Sequence, residues 1–546
     1  MWSLADLVRA GATRREFRSR AYRQAVWSLD SLSDDLAEPL EEILLVPGIG
    51  PGVARLIAEF REEGAIAELG RLTATLPRGA NRLRLLPRMT PNRLRWLKSE
   101  LGVETPENLV HAISLGQLGN LKGVGDETAR TWIGRLQSMP PAGMTPLAAH
   151  NWAYRVVAHV ERHVMGSELV VTGSIRRLDE WVPAIDLVVA EAPPVFHFLA
   201  QSAIVTGSVD LADGIRFDTL GAAVKVHISA AGATAAAVFR TTGPRDHVEA
   251  VIRSMGDGQG IEGVLTETDI YRSVGLAYVP PPARSGVLQV PSDLIGVEHL
   301  RGDLHLHSDW SPDGRQTIEE LIEAARSRGL QYVAITDHAK GLRFGGLDEE
   351  RIEQQRMTIE RIRPRYPDIV ILHGSELNID RNGQVDFDDD LLDGLDFGLA
   401  AIHSLFTLNR DEQTGRLLTA IANPKVNVIA HITGRRIGTR PPIEFDTDRV
   451  LSAAAEHRTA IEVNGHLDRL DASADIVDRA RRLGALFAAN SDAHRRDELS
   501  NAGFSVAILQ RGLVTHDLVV NAWNVDDLLH WTRGRSWVEL GRNRLN

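Results

Sequence analysis

The 546-residue chain contains no cysteine, which excludes disulfides and thiolate-bound metals from its architecture. Lysine is almost as scarce: Lys98, Lys122, Lys225, Lys340 and Lys425 are all there are. Schiff-base lyase chemistry needs a lysine amine, and residues 1–97 offer none. Long apolar runs are missing as well, and no stretch is long enough to span a bilayer. The opening "MWSLADLVRAGATRREF" reads as an amphipathic helix without a signal peptide's apolar core. A cytoplasmic protein with no membrane partner is expected.

What is present describes a multidomain soluble protein. Hydrophobic residues make up 43% and charged residues 25%, the balance of globular chains, and the length suggests roughly three or four domains. The net charge of −12 is unevenly spread: residues 1–150 carry 19 Lys+Arg against 17 Asp+Glu, so the acid excess lies entirely in the remainder. Carboxylates gathered around metal ions would produce that asymmetry, so the total charge does not exclude DNA as a partner.

Residues 1–145 read as helices broken by Gly/Pro turns, and 146–290 as a helix followed by short β-rich runs. "YVPPPARSGVLQVP" (278–291) looks like a linker. Beyond it, seven apolar runs each precede a polar or helical segment: "GDLHLH" (302–307), "YVAITDH" (332–338), "VILHGSE" (370–376), "DFGLAAIH" (396–403), "VNVIAH" (426–431), "AIEVNG" (460–465) and "ALFAANSDAH" (485–494). This is the repeat of a parallel βα barrel, whose chemistry sits at the C-terminal strand ends. Six of the seven runs end on His, Asp or Glu, and the sixth in order offers Asn464, ahead of its closing glycine, instead.

The candidate ligands are His305, His307, Asp313, His338, Glu376, His403, His431, Asp492 and His494. One histidine at a strand end is more often a hydrogen-bonded structural residue than a ligand. Nine such residues spread over six strand ends are not explained that way, and they require two or three ions. Imidazole with carboxylate suits manganese or zinc, with iron(II) a further candidate. His373, His457, His466, His516 and His530 fit no such position and read as ordinary residues.

"DLHLHSDWSPDG", "AITDHA", "GSELNID", "IHS", "AHITGR", "IEVNGHLDRLD" and "NSDAH" resemble the motifs of the PHP (polymerase and histidinol phosphatase) phosphoesterase domain. The resemblance implies a distorted (β/α)7 barrel over 299–546. It also implies that His305, His307, Glu376 and Asp492 hold one metal. Glu376 would bridge to a second held by His403 and His431, and Asp313, His338 and His494 would hold a third. "NGHLDRLD" departs from the family pattern by lacking a proline before the arginine, a difference in a loop.

Further forward, "LLVPGIGPGVARLIAEF" (44–60) reads as a helix–hairpin–helix with Gly48, Gly50 and Gly52. "LKGVGDETARTWIGRL" (121–136) reads as a second, with Gly123 and Gly125. Glycines there let the backbone approach a DNA phosphate, and the following helix start binds it. From Arg78 to Lys98 inclusive the chain carries seven cations and no acid, the composition of a phosphate-tracking strip. With "FRSRAYRQAVWSL" and "VVTGSIRR", these features resemble a bacterial family X DNA polymerase ending in a PHP domain. The implied layout is mixed α+β and α/β. A helical hairpin-containing domain covers 1–75, a fingers-like helical domain 76–145, and a degenerate nucleotidyltransferase palm and thumb 146–292, followed by the barrel.

The departures from that family matter. Its polymerases clamp nucleotide and primer with metals on three carboxylates. Here the paired-aspartate stretch reads "PAID", so Ala184 replaces the first and Asp186 remains; the third position is Lys225. Gly173, Ser174 and Arg177 survive from the nucleotide-gripping motif, while the second nucleotide contact has become "TTGP" (241–244). Asp179 and Glu180 lie one loop too early to substitute. The reading is therefore a Mn²⁺- or Zn²⁺-dependent 3′→5′ exonuclease acting on DNA 3′ ends, gapped or single-stranded. Arg435 is the candidate catalytic cation, with Arg436 second, and no templated synthesis is expected. The alternatives are a monophosphatase for a small phosphate ester, and a DNA-end binding module with structural metals.

Overall fold

The computed structural model describes residue 44 and residues 49–533, apart from short stretches at 64–65, 68–70, 72–73, 78, 84–85, 87–88, 121–123, 139–142, 191, 202–204, 220–222, 231, 256–260, 262, 285–287 and 343–344. The chain divides into two compact units, Met1–Gly143 with Ser202–Ile204, and Met144–Gln201 with Val205–Asn546. No helix among the described residues is long and apolar enough to cross a membrane.

The first unit is helical where described, and its helix ends follow local capping chemistry. Thr90 accepts from the Arg93 amide and Pro91 starts the helix Pro91–Leu101. Gly102, in the left-handed region (φ 62°), ends that helix. Thr105 and Asn108 form a capping box for Pro106–Ser114. Leu83, Leu94, Leu97, Leu109 and Trp132 make the core. The helices Pro51–Glu63 and Asp126–Ser138 start immediately after Gly50 and Gly125.

The second unit opens with the helix Pro146–His163, whose Ala149, Ala153, Val156 and Val160 form a buried stripe. That stripe packs on a five-stranded sheet built from β1 (Leu169–Thr172), β2 (Ile185–Val189), β3 (Val205–Leu211), β4 (Gly214–Thr219) and β5 (Ala223–Ile228). The order is β1-β2-β5-β4-β3, with β2 and β5 parallel and the other neighbours antiparallel. Three short helices follow around Phe239, Val251 and Tyr271. There the buried Glu267 pairs with Arg176 and, at 2.9 Å, with the fully buried Arg284.

The seven apolar runs of the sequence are the seven strands of the barrel: β6 (Gly302–Leu306), β7 (Tyr332–Ile335), β8 (Val370–Asn378), β9 (Phe397–Ala401), β10 (Val428–Ile429), β11 (Ala460–Asn464) and β12 (Phe487–Asn490). They lie in sequence order and every neighbouring pair is parallel. A parallel bridge between Leu306 and Ala493, with His307 N donating to Ala493 O at 2.9 Å, joins the last strand to the first. Alternation along β6 sorts its residues: Leu304 and Leu306 pack outward against apolar clusters that include Trp531 and Leu321. Asp303, His305 and His307 take the other side. The helices between strands are capped and amphipathic, as in Ile318–Ser327 with its Thr317–Glu320 capping box.

Candidate metal centre

All nine candidate ligands converge at the C-terminal strand ends. Glu376, 1% exposed, is the hub. Its carboxylate lies 3.7 Å from His305 Nε2, 3.6 Å from His307 Nε2, 2.7 Å from His338 Nδ1, 3.1 Å from His403 Nε2 and 2.9 Å from His431 Nε2. Asp492 stands 3.4 Å from the Nε2 of both His305 and His307. Asp313 joins from the far side, 3.5 Å from His338 and 3.4 Å from His494. His431 (φ 27°) and Asp492 (φ 54°) sit in the left-handed region, a strain that strand-end functional residues often carry.

The donor set fits divalent cations. Three overlapping groups have ligand atoms within 4.8 Å of one another: His305–His307–Asp492, His307–His338–His494 and His338–Glu376–His403. Glu376 Oε2, His338 Nδ1, His403 Nε2 and Asp313 Oδ1 are buried without a hydrogen-bond partner among the described residues, although their neighbours are close. Buried polar atoms that crowd together in this way without well-formed hydrogen bonds suit a shared cation. Four of the six imidazoles are oriented from behind through Nδ1. His305 donates to Glu462 (2.7 Å), His403 to Asn378 (2.8 Å) and His494 to the Asp492 carbonyl (2.9 Å), while His307 faces Ser311 (3.3 Å); Nε2 is left toward the centre.

The charge states divide: the neighbouring carboxylates raise His305 well above its usual range, His338 to about 10 and His494 to about 9, so these three rings carry protons that a bound cation would displace. Burial alone would raise the Glu376 and Asp492 carboxyls, yet the surrounding histidines hold both well below the usual carboxylate range. Burial pushes His307 down to about 3 and His431 down to about 4, which keeps both imidazoles neutral and able to ligate.

Several residues of the site were not singled out from the sequence. Glu462, fully buried inside β11, accepts from His305 and from the His431 amide at 2.8 Å. Asn464 donates to Asp492 at 3.0 Å. A cavity of about 140 Å³ is lined by six of the ligands, by Asp468 and Arg469, by Arg436, the second cation expected from the sequence, and by His466, which the sequence reading takes as an ordinary residue. Arg469 is 8% exposed, its Nε is 3.4 Å from Asp492, and its Nη1 has no hydrogen-bond partner among the described residues. Arg435, the cation expected from the sequence, does not line this cavity. It pairs with Glu180 at 2.8 Å and donates to the carbonyls of Arg469 (2.9 Å) and Leu470. A side chain's direction out of an irregular loop is not set by its distance from a strand end. His373 is buried against Gln355, away from the cluster.

In the five-stranded sheet, Ala184 is buried and Asp186 pairs in register with Lys225, whose Nζ is 3.8 Å from the carboxylate. His227, two residues on, bridges Asp186 (3.1 Å) and Asp213 (3.0 Å). Gly173 (φ 64°) must be glycine, because a Cβ would collide with the Asp186 carboxylate. Arg177 donates to Ser174 Oγ at 3.1 Å and also binds the Thr242 carbonyl and Asp179. In the first unit a Cβ at Gly50, Gly52 or Gly125 would meet nothing within 4 Å. Gly48 and Gly123 lie outside the described residues.

Comparison with known proteins gives this arrangement a class. The PHP domain family model matches residues 303–491, which take in all seven strands, but for Gly302 at the start of β6, and seven of the nine candidate ligands, and stop just before Asp492 and His494. A "DNA polymerase/3′-5′ exonuclease PolX" of Bacillus subtilis is 30% identical over 544 residues, 94% of each chain. A "probable phosphatase" of Caldicellulosiruptor saccharolyticus is 26% identical over 242 residues, 43% of this chain and 96% of the relative. The "probable phosphatase YcdX" of Escherichia coli is 29% identical over 202 residues, 35% and 78% respectively. The chain belongs to the bacterial family X DNA polymerases that carry a C-terminal PHP domain.

Proposed function

We propose that this protein is a metal-dependent phosphodiesterase that removes nucleotides from DNA 3′ ends, and that its polymerase region no longer synthesises DNA. The observation that carries the reading is the buried convergence of six imidazoles and three carboxylates beneath a cavity lined by Arg469. The full-length likeness to a polymerase/3′-5′ exonuclease supports DNA as the substrate. Two or three divalent ions, manganese or zinc, would supply a water of lowered pKa and neutralise phosphate charge.

The protein's own residues would do the rest. Glu376, Asp492 and the histidines hold the ions, and Glu462 fixes the tautomer and orientation of His305. Asn464 holds Asp492. The free edge of the Arg469 guanidinium is placed to take a non-bridging phosphate oxygen and to stabilise the charge that grows there. The hairpins at Gly50 and Gly125 would deliver the DNA backbone.

The test compares 3′-labelled and 5′-labelled oligonucleotides with a small phosphate monoester in Mn²⁺. Release of labelled mononucleotide from the 3′-labelled strand, with slow monoester turnover, is expected. Preference for the monoester would favour the phosphatase-named relatives as the functional guide.

A prediction concerns the hairpins. Because a Cβ has room at both glycines, Gly50→Ala and Gly125→Ala should leave folding intact. Each should weaken DNA binding and reduce the magnitude of the log–log salt slope by about 1 for every phosphate that the hairpin no longer engages. Hydrolysis of a small phosphodiester should be unchanged. An unchanged slope in both variants would place DNA entry elsewhere.

A second prediction concerns synthesis. An opposite charge near 4 Å is worth ~4 kcal/mol at an effective dielectric of 20, so Lys225 competes with a cation for Asp186. With hydrolysis disabled at His305 and His307, primer extension on a gapped template should be absent. It should stay absent in Ala184→Asp alone, and any recovery should also need Lys225→Asp. Incorporation without either change would show that another carboxylate serves.

A further inference from the structure

Between the short helix Gly173–Arg176 and β2, residues 177–181 run from the five-stranded sheet against the barrel. Leu178, at φ 56°, is buried in the barrel's largest apolar cluster. The two acids that follow are each taken by a barrel arginine, Asp179 by Arg511 at 3.1 Å and Glu180 by Arg435 at 2.8 Å. Arg511 also donates to the Arg177 carbonyl. The loop of the degenerate nucleotide site is thus seated on the barrel by a buried leucine and a pair of salt bridges.

Arg435 carries the connection onward. Its Nε donates to the Arg469 carbonyl at 2.9 Å, and its Nη2 binds the Leu470 carbonyl. Leu470 is buried at φ 44°, a conformation that leucine keeps only where its neighbours enforce it. From that backbone project the Arg469 guanidinium, beside Asp492, and the Asp471 carboxylate, which accepts from Thr433 N (3.0 Å) and Oγ1 (2.8 Å).

We propose that Glu180 and Arg435 are positioning residues for hydrolysis, through which the silent polymerase region holds the barrel loop that aims Arg469 at substrate phosphate. The inference rests on the phosphodiesterase reading above. Glu180 is half exposed, so its ion pair adds little to global stability; its consequence is local order at residues 469–471. This gives the five-stranded region a task that requires neither nucleotide binding nor synthesis.

The experiment uses full-length protein, Mn²⁺ and bis(p-nitrophenyl) phosphate. Arg435→Met should lower kcat about tenfold with KM and metal content unchanged, the scale of losing a group that orients the reacting groups from behind. In an Arg469→Met background the same substitution should change kcat by less than about twofold, because it acts through Arg469. Equal losses in the two backgrounds would overturn the proposal. Amide hydrogen exchange over residues 466–474 gives a readout that needs no activity. Glu180→Gln should exchange faster there than the wild type and equally elsewhere in the barrel. Unchanged exchange in that segment would overturn the positioning role. An inactive wild type with the accelerated exchange would instead refute the phosphodiesterase reading and uphold the positioning.

Discussion

Glu376→Ala is expected to abolish phosphodiester hydrolysis, by on the order of 10³-fold or more, the scale seen when a preorganised charge-stabilising group is lost. Five imidazoles lie within 3.7 Å of this one carboxylate, which is 1% exposed. Its removal leaves a cluster of imidazoles with no negative charge at the point they share. Bound metal should fall with activity when measured by elemental analysis of purified protein. Glu376→Gln keeps the volume and loses the charge, so it separates a packing defect from loss of the ligand. Unchanged metal content in both variants would show that the ions, if bound, sit elsewhere.

Arg469→Met should lower the rate of hydrolysis by on the order of 10²-fold while bound metal stays near the wild-type level. The guanidinium is buried, yet one nitrogen has no hydrogen-bond partner among the described residues. An unsatisfied buried donor is costly unless something comes to meet it, and under the proposed function that group is a phosphate oxygen. Burial by itself would lower the Arg469 pKa, but Asp492, Asp468 and Glu376 hold it up, so the charge is present at any working pH. Methionine preserves the apolar stem and deletes the donors. Arg469→Lys restores charge without the planar fork and should recover only part of the rate. If Arg469→Met lost metal along with activity, Arg469 would be acting as a support for Asp492, and its proposed bond to phosphate would have to be abandoned.

The barrel was legible because parallel strands buried on both faces read as apolar runs, and their polar C-terminal residues mark the chemical end. β6 ends in His305-Leu306-His307 and β12 leads to Asp492-Ala493-His494, where alternation alone puts the polar pair on one side. Glu462 escaped notice because it lies inside β11, where nothing in an apolar strand says which way a lone carboxylate turns. Arg469 escaped for a different reason. It follows the strand end by five residues, in a loop whose path depends on a left-handed Leu470 and on Arg435 from another loop. Arg435 directly follows the ligand-bearing "AHITG" strand end, which makes it the readier choice from sequence, but its guanidinium is engaged by Glu180, a residue 255 positions away. The family motif makes Lys225 the third carboxylate position, and the parallel register of β2 and β5 sets it beside Asp186. His227 was not anticipated, since the fold of β4 and β5 brings Asp213 to its other side.

One gapped duplex, labelled at the 3′ end of its primer and incubated with Mn²⁺ and all four deoxynucleoside triphosphates, tests the central claim directly. The substrate offers the 3′ end to both the barrel and the degenerate polymerase region, so each activity would report on the same molecule. The account predicts release of labelled mononucleotide and no product longer than the primer, with the release abolished in Glu376→Ala. Extension of the primer by the unmodified protein, or an intact label under conditions where the protein turns over a small phosphate monoester, would contradict it.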